Sequence, residues 1–275
     1  MQYIKLSFKA KNRDFQYPFF VGSMLRGAFG YALKKVVCIN PSYSCEGCFA
    51  RKNCLYFEFY ELKDTFHKFR FDFELNQENL DFNLYLFDNV VDDMPYILAS
   101  VVKMLKENGL GKNRDIFEIQ DIKCNDKSIF DGEDFNLNGC EEEIINTNEN
   151  FSKKIKLKFI TPLRIKENNR FARGDIKLET ILKSIKYRLS ELKNSKDRRL
   201  NFEPKYERKE VNIRFVDFQR YSNRQELKMN IGGIMGEIIY DEIDKQTYQL
   251  LKIGEIIGDG KSTVFGLGKI EIENN

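Results

Sequence analysis

Alternation of apolar and polar residues opens both halves of the chain and predicts a strand in each. Residues 2–9 alternate in this way, and residues 154–159 place lysines between Ile155, Leu157 and Phe159. A period of two puts the apolar side chains on one face of a strand. Each half is therefore expected to begin with a strand that is buried on one face.

Apolar residues at helical spacing follow each opening strand. They predict helices over residues 24–37 and 95–107 in the first half, and over 178–192 and 244–250 in the second. Further apolar segments predict strands over residues 66–75, 82–88, 116–122, 211–219, 228–240 and 269–272. Each half thus approximates the order β-α-β-β-α-β, and we predict an α+β protein of two tandem ferredoxin-like (RRM-like) domains.

An acidic segment separates the two halves. Between Ser128 and Ser152 the chain has no Lys or Arg but seven Asp and Glu, with Asn and Gly filling much of the rest. This composition is typical of a domain boundary or a long solvent-exposed loop. We therefore predict an N-terminal domain over residues 1–130, an acidic linker or loop over 131–150 and a C-terminal domain over 151–275.

Charge is divided unequally between the halves. Residues 1–150 hold 18 Lys and Arg against 24 Asp and Glu, whereas residues 151–275 hold 27 against 18. A basic half favours a polyanion as partner, although basic residues also simply cover solvated faces. No apolar run of about 18 residues is present, and the start lacks the apolar centre of a signal peptide. We expect no membrane partner, a cytoplasmic location and reduced thiols.

Four of the six cysteines lie close together in the first half. They have the spacing C-x6-C-x2-C-x5-C and are Cys38, Cys45, Cys48 and Cys54. The C-x2-C pair brings two sulfurs onto one tight turn, and the flanking thiols complete a tetrahedral set with no position left for water. We expect a structural metal here, zinc in preference to an iron–sulfur cluster. Cys124 and Cys140 are isolated in the sequence, and we interpret them as structural or incidental.

Five glycines in fifteen residues mark the end of the chain. They have the spacing G-x3-G-x-G-x5-G-x-G and are Gly254, Gly258, Gly260, Gly266 and Gly268. The stretch Leu250, Leu251 and Ile253 before them is strand-like. Because glycine accepts positive φ and close approach, we expect a loop between two strands whose bare N–H groups face a polyanion backbone. Its Gly-Lys-Ser tripeptide looks like a nucleotide-binding P-loop, but the earlier glycine and following helix of that motif are missing.

Seven segments, in order, resemble one family: the CRISPR-associated endoribonucleases that process precursor crRNA, within the repeat-associated mysterious protein (RAMP) superfamily. Residues 254–268 resemble the C-terminal G-rich loop of that superfamily, and residues 25–33 resemble its first helix. The four cysteines stand where a subset of the family has a cysteine cluster. The other segments are 109–119 (GLGKNRDIFEI), 161–165 (TPLRI), 220–225 (RYSNRQ) and 232–236 (GGIMG).

The resemblance implies that the protein binds CRISPR repeat RNA and cuts it once per repeat without a catalytic metal. The ribose 2′-OH would be the nucleophile, and the products would carry a 2′,3′-cyclic phosphate and a 5′-hydroxyl. crRNA and a CRISPR effector complex are the implied partners, and the protein would be a monomer or a homodimer. The alternatives are a catalytically inactive RAMP subunit that binds crRNA, and a zinc-bound scaffold without an RNA partner.

Proton transfer in such a reaction needs positioned acid and base groups. His67 is the only histidine and the first candidate, with a surface His of no role as the alternative. Tyr31, Lys34 and Lys35 share a face of the first helix, where related enzymes often place a catalytic Tyr. A lysine there would stabilise charge on the phosphorane, and core packing is the alternative for Tyr31.

The expected RNA-binding set combines the five glycines with hydroxyl and basic side chains. These are Lys261 and Ser262 in the loop, and Arg164, Lys166, Arg170, Arg173, Arg220 and Arg224 in the second half. Contacts of this kind go to phosphates and give salt-dependent affinity more than sequence specificity. The alternative for each single Arg or Lys is a solvated surface.

Overall fold

The chain forms two compact units in the computed structural model, residues 1–143 and 144–275. The structure describes residues 1–63, 65–147, 150–167, 169–222 and 227–274. None of the helices in these ranges has both the length and the apolar character needed to cross a bilayer. The division between the units falls inside the predicted acidic segment, and the first unit continues to Glu143 instead of ending at residue 130.

The first unit contains an antiparallel sheet and two helices. Its elements are β1 (Gln2–Lys11), α1 (Gly22–Val37), β2 (Phe69–Asp72), β3 (Leu80–Phe87), α2 (Met94–Lys103), β4 (Glu118–Cys124), β5 (Lys127–Ser128) and β6 (Glu143–Ile144). The strand order is β2-β3-β1-β4-β5, and β6 pairs with β1. The first six elements have the predicted β-α-β-β-α-β order, with the strand arrangement of a ferredoxin-like domain.

Alternation in β1 has the expected effect on packing. Ile4, Leu6 and Phe8 are buried, while the residues between them are partly exposed. In the same core, Phe29 of α1 packs edge-on against Phe71 of β2, with 5.8 Å between the ring centroids. Burial of each such side chain stabilises the fold by roughly 1.5–3 kcal/mol.

Two boundaries in the first unit differ from the prediction. β2 begins at Phe69, so His67 lies in the loop before that strand and not within a strand over residues 66–75. α2 ends at Lys103 and is followed by a π-helical turn, Met104–Asn108, which ends at Gly109 with a φ of 70°. Glycine adopts this left-handed conformation without the penalty that a Cβ would add.

The acidic segment is attached to the first unit and is not a free linker. Cys124 and Cys140 form a disulfide with 5.5 Å between their Cα atoms. The side chain of Asn125 donates a hydrogen bond to the carbonyl oxygen of Glu141 at 2.6 Å, and the Tyr3 hydroxyl donates to the Glu143 carboxylate at 2.7 Å. The disulfide agrees with a structural role for Cys124 and Cys140, one of the two interpretations offered, and corrects the expectation of reduced thiols for this pair.

The second unit has the same core arrangement. Its elements are β7 (Ile155–Leu163), β8 (Lys166–Glu167), β9 (Arg170–Phe171), α3 (Leu178–Leu192), β10 (Glu207–Ser222), β11 (Leu227–Asp241), α4 (Lys245–Ile257) and β12 (Ile270–Asn274). The sheet order is β10-β11-β7-β12, and all three pairings are antiparallel. β8 and β9 form a separate small hairpin after β7.

The residues before the glycine-rich segment form a helix, which corrects the prediction of a strand. The Asp244 side chain accepts the N–H of Thr247 at 3.0 Å and begins α4, and Gly258 ends it with a φ of 74°. Gly254 lies inside α4, where a Cβ would come within 2.6 Å of Ile185 on α3. The helices approach closely at this point, so the glycine serves helix packing. The glycine loop therefore connects a helix to a strand.

Candidate active site and RNA-binding surface

The TPLR segment and the glycine loop form one structural unit, although about 100 residues separate them. The N–H of Lys261 donates to the carbonyl oxygen of Arg164 at 2.8 Å, and the N–H of Gly268 donates to that of Pro162 at 3.1 Å. The buried Thr161 hydroxyl donates to the Gly266 carbonyl oxygen at 2.8 Å. The end of β7 therefore holds the loop in place.

The glycines of this loop are interior residues. All five are buried, and the N–H groups of Gly258, Gly260, Gly266 and Gly268 donate hydrogen bonds within the protein. A Cβ on Gly268 would lie only 1.8 Å from the carbonyl oxygen of Asp259. The expectation of bare N–H groups is wrong for these residues, because their backbone approaches neighbouring chain too closely to leave those groups open.

The side chain of Lys261 is the exposed part of the glycine loop. Lys261 is exposed and makes no ion pair with any residue that the structure describes. Ser262, which follows it, is half-buried and has a left-handed φ of 69°. The loop thus presents the ammonium group of Lys261 to the solvent.

Arginines near this loop stack on two phenylalanines that the sequence analysis did not single out. The guanidinium carbon of Arg164 lies 3.9 Å from the centroid of Phe171, and that of Arg173 lies 4.9 Å from the centroid of Phe215. The Lys166 ammonium lies 5.5 Å from the Phe171 centroid. Stacking of this kind orients a cation without neutralising it. The one sequence signal was the adjacency of Arg and Phe on short strands.

The predicted RNA-binding arginines that the structure describes have different surroundings. Burial lowers the pKa of Arg164, and the negative charge of Asp217 opposes that effect. Arg170 and Arg173 are exposed, and neither makes an ion pair within the described ranges. Arg220 lies on β10 in register with Met229 on β11. Arg224 lies outside the described residues.

Other basic residues of the second unit are already paired. Lys156 on β7 lies 3.4 Å from the Glu237 carboxylate, and Lys158 forms an ion pair with Glu273. The alternating lysines of β7 therefore face carboxylates of the neighbouring strands. Lys261, Arg170 and Arg173, in contrast, are exposed without such a partner among the described residues.

A buried carboxyl group, also missed by the sequence analysis, lies within the glycine loop. Asp259 is fully buried, and its Oδ1 accepts the N–H of Gly260 at 2.6 Å. Burial raises the pKa of Asp259 to about 7, while hydrogen bonds from Ser184 and Gly260 and the charge of Arg188 oppose this shift. Arg188 is buried as well, and its Nε donates to the Ile257 carbonyl oxygen at 2.7 Å. These contacts connect α3 to the loop.

In the first unit, the structure pairs Tyr31 with Lys35 on the outer face of α1. Tyr31 is 48% exposed, which excludes core packing as its role. The Lys35 ammonium lies 4.5 Å from the centroid of the Tyr31 ring and 3.3 Å from the Asn108 side-chain oxygen. A hydrogen bond and the positive charge from Lys35 lower the pKa of the Tyr31 hydroxyl.

Lys34 belongs to a different contact. Its ammonium lies 4.8 Å from the centroid of Tyr56, which stacks on Tyr60 at 5.3 Å. The Tyr60 hydroxyl donates to the carbonyl oxygen of Arg26 at 2.7 Å. A Cβ on Gly30 would lie 2.5 Å from the Tyr60 ring, so this glycine lets the ring pack against α1.

His67 is half-buried in the loop before β2. Its Nδ1 lies 3.1 Å from the carbonyl oxygen of Glu58, and its ring is tilted against Phe69 with centroids 6.0 Å apart. A carbonyl oxygen only accepts, so this hydrogen bond requires the proton on Nδ1. In the neutral ring Nε2 then holds the lone pair.

The four clustered cysteines share one loop between α1 and β2. All four are half-buried, and none forms a disulfide. Burial raises the pKa of Cys45; the charge of Lys34 opposes this, whereas Glu61, Cys54 and Cys38 add to it. The described residues contain no group of three or more His, Cys, Asp or Glu side chains arranged to hold a metal ion. The thiol set fits zinc in its chemistry, and the metal stays a prediction.

Two family models match the chain. Residues 1–142 match a model described as an N-terminal domain, AF_1859_N, and residues 157–270 match the CRISPR-associated endoribonuclease Cas6. An uncharacterized protein of Archaeoglobus fulgidus is 27% identical over 297 residues, covering 100% of this chain and 99% of that protein.

Solved structures of low sequence identity share the fold. A product complex of Thermus thermophilus Cas6 has a TM-score of 0.61 and 13% identity, and the match covers 99% of each chain. An RAMP protein binding different RNA substrates has a TM-score of 0.53 and 14% identity, covering 100% of both chains.

These matches favour the enzyme over the non-catalytic alternatives. The Cas6 model extends over β7, the β8–β9 hairpin, α3, β10, β11, α4 and the whole glycine loop. The AF_1859_N model matches residues 1–142, which is nearly all of the first unit. Residues 157–270 match the model of the CRISPR-associated endoribonuclease Cas6, an RNA-cleaving enzyme, and through residues 1–142 the chain belongs to the AF_1859_N family.

Proposed function

We propose that this enzyme cuts CRISPR repeat RNA into crRNAs by attack of a ribose 2′-OH on the adjacent phosphate, without a catalytic metal. The products would carry a 2′,3′-cyclic phosphate and a 5′-hydroxyl. The observation that carries the proposal is the set of cations around the TPLR segment and glycine loop, within the region that matches the Cas6 model. A Cas6 product complex and an RNA-bound RAMP protein among the similar structures support RNA as the substrate class.

Binding would depend on phosphate contacts from the second unit. Lys261, Arg170 and Arg173 are exposed cations, and Arg164 is oriented by its stacking on Phe171. Each would contact the RNA backbone and release counterions, so affinity should fall as salt concentration rises. The loop glycines would act by shaping the loop that presents Lys261.

Proton transfer would rest on the first unit. Nε2 of the neutral His67 ring is suited to accept the proton of the 2′-OH, and the protonated ring is suited to donate one to the leaving 5′-oxygen. The lowered pKa of Tyr31 makes its hydroxyl a better proton donor than an ordinary tyrosine. The ammonium groups of Lys34 and Lys35 would stabilise negative charge on the phosphorane.

The test is cleavage of end-labelled repeat RNA in excess EDTA, followed by analysis of the product ends. We expect cutting at one position per repeat and 3′ ends that resist phosphatase until acid opens the cyclic phosphate. Loss of all cutting in EDTA, with RNA binding retained, would contradict metal independence. Linear 3′-hydroxyl ends would contradict attack by the 2′-OH.

A structural zinc ion held by Cys38, Cys45, Cys48 and Cys54 is part of the same proposal. It is supported by the C-x2-C spacing, the absence of disulfides among the four, and the electrostatic effect of Cys38 and Cys54 on Cys45. Bound zinc would fix the loop between α1 and β2. Freshly purified, reduced protein should contain about one zinc per chain. Metal content unchanged by Cys48→Ser would refute this site.

The partners and the setting are proposals of the same kind. We place the enzyme in the cytoplasm, acting on repeat RNA as a monomer or a homodimer and passing crRNA to a CRISPR effector complex. Size measurement of the free and RNA-bound enzyme distinguishes the two oligomeric states.

A further inference from the structure

A polar cavity of about 510 Å³ lies at one end of the sheet in the first unit. One wall is the loop after β1, with Asn12, Phe15 and Tyr17, and the other is the turn before β3, with Gln77 and Asn79. The volume falls within the range of roughly 300–1,000 Å³ that is usual for small-ligand sites. None of the candidate catalytic residues lines this cavity.

Internal hydrogen bonds and ring contacts fix the first wall. The Asn12 side chain donates to the Ile116 carbonyl oxygen at 2.9 Å and accepts the N–H of Asp14 at 2.9 Å. The Phe15 ring packs edge-on against Phe117 and Tyr17, with centroids 5.0 and 4.9 Å away. The aromatic surface is therefore held in place before any ligand arrives.

The second wall is fixed in a similar way. The Gln77 side chain donates to the Asp81 carbonyl oxygen at 2.7 Å and accepts the Asp81 N–H at 3.0 Å. The N–H of Asn76 donates to the Phe19 carbonyl oxygen at 2.9 Å, which connects the two walls. Both sides of the cavity are preorganised, which lowers the entropy cost of binding.

The remaining polar groups at the rim are available to a ligand. Arg13, Glu78 and Asn79 are exposed, and neither Arg13 nor Glu78 makes an ion pair with another described residue. Lys11 lies 3.6 Å from the Glu118 carboxylate, a weak surface contact. The rim thus offers a guanidinium, a carboxylate and an amide beside two half-exposed aromatic rings.

We propose that this cavity binds one unpaired nucleotide of the substrate RNA, a site separate from the cations of the second unit. A nucleotide combines an aromatic base, which stacks on Phe15 or Tyr17, with a phosphate, which Arg13 attracts. Glu78 repels phosphate but accepts N–H groups; it favours a base with an exocyclic amino group over uracil, whose single N3–H lies between two carbonyl oxygens that a carboxylate repels. This inference rests on the proposed RNA substrate.

The test is a double-mutant cycle between the protein and the RNA. Repeat RNA made uncleavable by a 2′-deoxy residue at the cut site is prepared with single abasic residues at each unpaired position. Binding is measured by fluorescence anisotropy for the wild type, Phe15→Leu and the matched control Phe49→Leu, which alters an exposed phenylalanine outside the cavity. In the wild type, one abasic position should weaken binding by about 5- to 150-fold, the usual effect of losing a stacked base.

In Phe15→Leu the loss of affinity at that position should shrink, because only Tyr17 is left to stack on the base, while Phe49→Leu should respond like the wild type. Glu78→Gln, a rim substitution that leaves the packing intact, should reduce the preference for cytidine over uridine at that position. If both cavity variants respond to every position as the wild type does, this inference is wrong although RNA binding stands. If the wild type does not bind repeat RNA at all, the proposed function itself has failed.

Discussion

At the residue scale, Asp259 makes the glycine loop sensitive to pH. Its folded-state pKa is raised to about 7 from an ordinary value of 3.8, mainly by burial. The unfolded chain therefore releases this proton at lower pH than the folded protein does. The contribution of the neutral Asp259 carboxyl to the unfolding free energy is fully present below about pH 4. It is lost as pH rises from there towards 7.

The substitution Asp259→Asn should remove this loss. The rise in the pKa of Asp259 from 3.8 to about 7 corresponds to at most about 4 kcal/mol of unfolding free energy. Urea unfolding of the variant and the wild type at pH 5 and pH 8 measures it: the variant should gain stability relative to the wild type at pH 8. The exposed Asp134→Asn variant is the control. An equal difference between Asp259→Asn and wild type at both pH values would contradict the account.

His67 is the residue on which the proposed proton transfer depends most. We expect His67→Ala to lower the cleavage rate at least about 100-fold, the usual effect of removing a general acid or base. Binding of uncleavable repeat RNA should stay unchanged, because the RNA-binding cations lie in the second unit. Single-turnover rates and binding isotherms on the same preparation separate the two effects. Turnover at the wild-type rate would move the chemistry to Tyr31 and Lys35.

Single residues were predicted from the sequence with uneven success, for identifiable reasons. His67 stood out by its residue type, and Tyr31 and Lys35 stood out by helical spacing, which the structure turns into a direct contact. Asp259 gave no such signal, because its burial arises from contacts with α3 that the local sequence does not encode. Phe171 was missed because stacking on Arg164 depends on the path of the β8–β9 hairpin.

At the element scale, the glycine loop works as a tightly packed connection between α4 and β12. The TPLR segment at the end of β7 supplies carbonyl oxygens to it, and the Gly232-Gly233 pair on β11 packs against the same segment. A Cβ on Gly233 would lie 2.5 Å from the Leu163 carbonyl oxygen, and Arg164 donates to the Gly232 carbonyl oxygen at 3.3 Å. Three segments that resembled a family separately are therefore one packed assembly.

The substitution Gly268→Ala should disrupt this assembly. Its φ of 70° disfavours a side chain, and the new methyl group would overlap the Asp259 carbonyl oxygen. We expect a loss of more than about 2 kcal/mol in unfolding free energy, together with weaker RNA binding. Gly174→Ala is the matched control in the same unit, because no atom lies within 4 Å of its added Cβ. Chemical denaturation distinguishes them, and equal stability of the two variants would refute the packing account.

Elements were predicted well where a long periodic pattern existed. α3 has the predicted bounds, and β1 and β7 begin within one residue of prediction, because burial of one face imposes a clear period. The apolar pattern before the glycines was too short to distinguish a strand from a helix, so α4 was assigned only in part. The disulfide between Cys124 and Cys140 depends on how β4 meets the acidic segment, which spacing alone does not reveal.

At the scale of the whole molecule, the two units differ in charge and in candidate chemistry. The second half carries the excess of Lys and Arg; Lys156 and Lys158 of β7 are paired with carboxylates, whereas Lys261 in the glycine loop has no such partner among the described residues. The first unit holds His67, the Tyr31–Lys35 pair and the cysteine loop. RNA binding is thus assigned mainly to one half and proton transfer to the other. The charge asymmetry and the resemblance of the sequence indicated this division, which stays a proposal, and the pairing of individual charges needed the structure.

The central claim is that the RNA supplies its own nucleophile, and a single 2′-deoxy substitution at the cut site tests it most directly. The wild-type enzyme should bind that RNA with the affinity it has for all-ribose RNA and should leave it uncut, while an RNA with the 2′-deoxy residue one position away should be cut normally. Cleavage of the substituted RNA at the original position and rate would contradict the account.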